Sequence, residues 1–132
     1  MWRKFFSRQP ERLSGAPAAR RLKTYSAQSG YVYQYFYEGH RPFHSGGDNG
    51  VEYIFNVSAD RKRYEPVAVR QSAAAIQEWE RSAERQLSAS ERYGIAKIAL
   101  FQAFDDRTPA EMKEPVWVRR ADLDSIAATL GL

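Results

Sequence analysis

Apolar and polar positions alternate with a period of two along much of the first half of the chain, and with a helical period along the second. From residue 23 to 38, Tyr25, Ala27, Ser29, Tyr31, Tyr33, Tyr35 and Tyr37 share one parity, while Val32, Gln34 and Phe36 share the other. That pattern predicts one long first strand with a bulge at Gly30. Residues 39–50, GHRPFHSGGDNG, hold four glycines, a proline and an Asn-Gly pair, and predict a loop too long for a tight hairpin. Val51, Tyr53, Phe55 and Val57 then alternate with Glu52, Asn56 and Ser58, with Ile54 as the exception, so 51–58 is the clearest strand. Asp60 suits a turn, and 63–70 gives a third strand through Val67 and Val69. Pro66 cannot donate to a ladder and marks a sheet edge or a strand start.

The period changes at Ser72, an N-cap residue followed by the stripe Ile76, Trp79, Ala83 and Leu87. Ser88 and Glu91 have capping-box spacing and open a second helix. Its stretch 93–104, YGIAKIALFQAF, is apolar almost all round, which predicts a buried central helix with Gly94 at a close approach. Thr108, Pro109 and Glu111 suit one short helical turn, and residues 116–119, VWVR, a fourth strand. A last helix carries Leu123, Ile126, Ala127 and Leu130 and stops at Gly131. The order β-β-β-α-α-β-α predicts an α+β fold in which an antiparallel sheet is covered on one face by helices.

The four-tyrosine ladder raises the question of which face it occupies. Strands 51–58, 63–70 and 116–119 already supply an apolar face for the helices. Four buried hydroxyls would each need a partner or an exit to water. The expectation is therefore that Tyr31, Tyr33, Tyr35 and Tyr37 lie on the open face with Ile54 and Trp117, as interface or stacking candidates. The alternative is that they pack beneath the helices.

Charge changes the picture next. The chain of 132 residues has a formal net charge of +4 and fits one domain. Residues 1–23 carry Arg3, Lys4, Arg8, Arg12, Arg20, Arg21 and Lys23 against Glu11 alone, whereas 24–132 carry more acids than bases. Residues 1–22 are accordingly expected to be a basic, mobile tail and 23–132 a single, slightly acidic domain. The start, MWRKFF, could dip into an anionic membrane surface or dock on a partner. The chain has no cysteine, which excludes disulfides, thiolate metal sites and cysteine nucleophiles, and suits a reducing, cytoplasmic location. No apolar run is long enough to span a membrane.

Candidate chemistry is sparse. His40 and His44, with Glu38 and Asp48 nearby, are weak metal-ligand candidates in the expected loop. No nucleophile, base and orienting group can be assembled from spacing, GGDNG lacks the Lys-Ser/Thr of a phosphate loop, and no cofactor is expected. Arg61, Lys62 and Arg63 sit at an expected hairpin tip and, with the tail cations, are the polyanion-contact candidates. The sequence thus points to a non-enzymatic interaction or assembly module, pairing with a protein partner or a second copy and tethered by its basic N-terminus. The alternative is a single-stranded nucleic-acid-binding protein using the tail, the hairpin tip and the aromatic sheet face.

Overall fold

The computed structural model describes residues 11–132, which form a five-stranded curled sheet with three helices, an α+β fold. In chain order the elements are β1 (Lys23–Ser26), β2 (Val32–Ser45), β3 (Asp48–Ser58), β4 (Glu65–Ser72), α1 (Ala73–Ala83), α2 (Ala89–Asp106), a 3₁₀ turn (Glu111–Lys113), β5 (Val116–Val118) and α3 (Arg120–Leu130). The strands lie in sequence order, and every pair is antiparallel except β4 with β5, which is parallel. The sheet is therefore mixed, where an all-antiparallel sheet was expected. A parallel neighbour needs a long crossover, and α1 and α2 supply it.

Two departures from the expected strands fix where the side chains of β2 point. Residues 23–38 are not one strand but a hairpin. The chain turns at Ala27–Gly30, held by Ala27 N–H to the Tyr31 carbonyl (2.8 Å) and Gly30 N–H to the Ala27 carbonyl (3.0 Å). Tyr25 then pairs with Tyr33 across it. The expected loop 39–50 is also strand. Ser45 pairs with Asp48, leaving Gly46 and Gly47 as a two-residue connection, with φ of 56° and 83°. Positive φ at both positions is what a type I′ hairpin requires, and two glycines meet it without strain. Pro42 is tolerated because β1 pairs only with the first part of β2, leaving the rest of that edge without a strand partner. The bulge lies at Glu38, not Gly30: Tyr37 pairs with Phe55 and Gly39 with Ile54, so Glu38 is the extra residue.

The helix boundaries follow their caps. Ser72 Oγ accepts from Ala75 N–H, and Ser88 and Glu91 form the expected reciprocal box. Helix α1 stops at Ala83, with Glu84 in the left-handed region, so Leu87 reaches the core from the connection and not from the helix. The Glu80 carboxylate accepts the Leu87 N–H at 2.7 Å, satisfying the backbone there. Helix α2 buries one face, Ile95, Ala96, Ala99, Leu100, Ala103 and Phe104, and leaves Gln102 exposed. A Cβ at Gly94 would meet Leu130 at 3.7 Å, an ordinary contact, so the close approach expected there needs no glycine.

Gly50 does need to be glycine. A Cβ there would lie 2.0 Å from the Gln71 carbonyl oxygen of the neighbouring strand, at a φ of 158°. Both atoms in conflict are tied to paired backbone, so relief requires β3 and β4 to separate. Gly50→Ala is expected to cost more than about 1 kcal/mol, read as a lowered urea midpoint.

Candidate interaction face

The register settles which sheet face each side chain takes. Tyr35 pairs with Val57 and Tyr37 with Phe55, so these tyrosines share the face of Val57 and Phe55. The helices cover that face. Tyr33 and Tyr35 are 1% and 5% exposed, Tyr37 is half-buried, and only Tyr31, at 43%, looks out. The expected outward ladder is thus turned inward in Tyr33, Tyr35 and Tyr37. Tyr33 stacks on Phe104 (centroids 4.3 Å apart), and Tyr35 meets Phe55 and Phe101 edge-on. Tyr37 packs on Tyr93 at 4.8 Å and places its hydroxyl 3.3 Å from His40 Nδ1. Aromatic packing favours the helix side although the Tyr33 hydroxyl is left there without a partner among the described residues.

Ile54 and Trp117 do lie on the open face, but Ile54 is buried among its neighbours and Trp117 is half-exposed. Beside them the sheet holds Arg41, Glu52 and Arg70, which were not singled out from sequence, in register with Trp117. Arg41 pairs with Glu52, Glu52 with Arg70 and Arg70 with Trp117, a single row crossing β2, β3, β4 and β5. Arg41 Nε donates to Glu52 Oε2 at 2.7 Å and Arg70 Nε to Glu52 Oε1 at 3.0 Å. Glu52 is 6% exposed, so its charge is almost wholly compensated by these two cations. The Arg70 guanidinium also lies 5.2 Å from the Phe43 ring and 5.4 Å from that of Trp117. Phe43 and Trp117 meet edge to face, and Arg119 stacks on Trp117 at 4.4 Å. In this patch two guanidiniums, of Arg41 and Arg70, hold one carboxylate and a third, of Arg119, lies on Trp117, so these four charges sum to two positive.

Farther along β2 the face closes differently. Glu38, freed by the bulge, accepts from Arg20 Nε at 2.6 Å and from Asn56 Nδ2 at 2.7 Å. Arg20 lies over Phe36, which packs on Tyr64. Ser14 exchanges backbone hydrogen bonds with His40 at 2.8 and 2.9 Å, so residues 14–20 run beside the part of β2 that β1 does not reach. Of the tail cations, Arg12, Arg21 and Lys23 are exposed, whereas Arg3, Lys4 and Arg8 lie outside the described residues.

The other candidates are not brought together. Arg61, Lys62 and Arg63 are exposed at the β3–β4 connection. Asp60 Oδ1 accepts the Lys62 and Arg63 N–H groups at 2.8 and 2.9 Å and orders that turn. Hydrogen bonds from these amides, Arg63 first, hold the Asp60 carboxyl down at about 2. His40 and His44 sit on strand β2, not in a loop: His40 is engaged by Tyr37 and His44 is exposed. Among the described residues no group of three or more His, Cys, Asp or Glu could share a metal ion, and no helix is long and apolar enough to cross a membrane. Comparison of the chain with protein-family models, curated proteins and solved structures finds no match.

The signal for the row was present in the sequence. Glu52 is the one carboxylate in the expected strand 51–58, with Arg41 and Arg70 on the flanking segments. Its assembly depends on the register, which no spacing rule supplies.

Proposed function

We propose that this chain is a non-enzymatic interaction and assembly module that docks an acidic protein segment on the open face of its sheet, with the basic N-terminal residues as a separate tether. The observation that carries the reading is the row Arg41–Glu52–Arg70–Trp117 with Arg119 beside it. Arg and Trp are the residue types enriched where protein interfaces hold most of their binding energy. Here they are also preorganised, because Glu52, Phe43 and Trp117 hold the Arg70 side chain before any partner arrives. The surplus positive charge selects a partner with carboxylates, and the Trp117 ring offers an apolar contact beside them. A single-stranded nucleic acid is the second class to test. It gains from the same arginines but loses the stacking ladder, since Tyr33 and Tyr35 are closed off.

The test is a titration of full-length protein, followed by backbone and Trp side-chain NMR, with a synthetic peptide of alternating Glu and Leu and, separately, with oligouridylate. The peptide is expected to move the signals of Arg41, Arg70, Trp117 and Arg119. Arg119→Ala, an exposed position, is expected to weaken binding roughly tenfold, or about 1.4 kcal/mol. Tighter binding of oligouridylate at the same residues would assign the face to nucleic acid instead. Shifts there that grow with protein concentration alone would assign it to a second copy. Silence of the face to both ligands and to concentration sinks the proposal.

A further inference from the structure

The open face is not the only feature without an assigned use. Between the sheet and the connection from α2 to β5, at the end where β3 leaves and β4 enters, lies a cleft of about 350 Å³. That volume is within the roughly 300–1,000 Å³ typical of small-molecule sites. Its walls are apolar: Val57 and Val67 from the sheet, and Met112 from the 3₁₀ turn. Tyr33 also lines it, and the Tyr33 hydroxyl is shut from water and has no hydrogen-bond partner among the described residues. A buried hydroxyl without a partner is uncommon in a folded protein, because nothing replaces the hydrogen bonds it made to water. A ligand oxygen reaching Tyr33 would restore one.

The rim supplies the second requirement. Arg63 and Lys113 stand on it from opposite elements, with Asp60 and Glu65 as the acids. Asp60 is already committed to the amides of the β3–β4 turn and to Ser58. No ion pair engages Arg63, Lys113 or Glu65 among the described residues. Asp60 keeps its charge in its bonds to the turn, so the four rim charges balance; what the rim offers a carboxylate is two cations, Arg63 and Lys113, that no ion pair holds among the described residues.

We infer that this cleft binds a small monocarboxylate with an apolar body and a second oxygen at its far end. The carboxylate meets Arg63 and Lys113, the body lies on Val57, Val67 and Met112, and the distal oxygen pairs with the Tyr33 hydroxyl. Contact with the hydroxyl requires the wall over it to move, since Tyr33 is 1% exposed. The site is on the helix side of the sheet and is independent of the open-face proposal.

Para-hydroxyphenylacetate and phenylacetate differ only in the distal oxygen, so they test the cleft without any substitution. Titrated into the full-length protein and followed by NMR, both are expected to shift Val57, Val67 and Met112. The hydroxylated ligand is expected to bind about tenfold tighter, the range of one hydrogen bond. In Tyr33→Phe, which keeps the ring on Phe104, that preference disappears while phenylacetate binds as before. Lys113→Ala weakens both ligands equally. Equal affinity of the two ligands for the unsubstituted protein, or shifts confined to other surfaces, overturns the inference, as does the absence of binding by either at millimolar concentration.

Discussion

Replacing Tyr33 and Tyr35 together by alanine is expected to unfold the protein. Tyr33 and Tyr35 are 1% and 5% exposed, and both rings pack against Phe104 at the centre of the core. Removing one large buried aromatic costs about 3–5 kcal/mol, from lost transfer energy and the cavity left behind. The two sites share Phe104, so their costs do not simply add. Even so, the pair removes a large share of the roughly 5–15 kcal/mol that typically holds a domain together. Far-ultraviolet circular dichroism should show loss of the folded signal, and each single variant a lowered urea midpoint. A double variant that kept the wild-type midpoint would mean that the ladder faces outward after all.

The same burial shapes the alkaline limit. Desolvation raises the hydroxyl pKa of Tyr33, Tyr35, Tyr37, Tyr53 and Tyr93 above the ordinary tyrosine value. A raised folded pKa means that the native state keeps protons the unfolded chain would release. The contribution is therefore fully present below about pH 10 and is lost as pH rises above it. The tyrosinate absorbance of these five rings should accordingly appear together with unfolding and not ahead of it.

Glu52→Ala is the second large effect. The substitution leaves Arg41 and Arg70, with side chains 25% and 24% exposed, facing each other without the carboxylate they share. Breaking a buried pair from one side costs about 3–5 kcal/mol. Partial exposure of both arginines discounts that to roughly 2–4 kcal/mol, since water screens what remains. The urea midpoint should fall accordingly. Removing the arginines as well should recover part of the loss, because the triple variant has no stranded charge. If Glu52→Ala and the triple variant are equally unstable, the loss is one of packing and the charges are not coupled.

Much of the local structure was legible because its causes are local. Ser72 and the Ser88–Glu91 box set helix starts through hydrogen bonds spanning three residues. Gly131 ends the last helix in the left-handed conformation that glycine favours. The alternation of Val51, Tyr53, Phe55 and Val57 identifies a strand whatever surrounds it. The placement of Arg70 and Trp117 on strands was readable in the same way, whereas Arg41 fell in the expected loop.

What the sequence alone could not decide is how one strand's parity relates to the next. That relation depends on where the chain turns and on whether a residue is inserted. The turn at Ala27–Gly30 and the bulge at Glu38 supply both, and each is a backbone choice made favourable by contacts far away in the chain. The Gln28 amide and the Ser29 hydroxyl are held by Asp105 and Phe104 of α2. Glu38 is held by Arg20 and Asn56. A slip of one residue would send every tyrosine of β2 to the other face. Composition and period therefore determined that this chain builds an α+β domain with a tyrosine-rich strand. Tertiary packing decided that Tyr33 and Tyr35 form core, and that the open face behind them carries the arginine–tryptophan row.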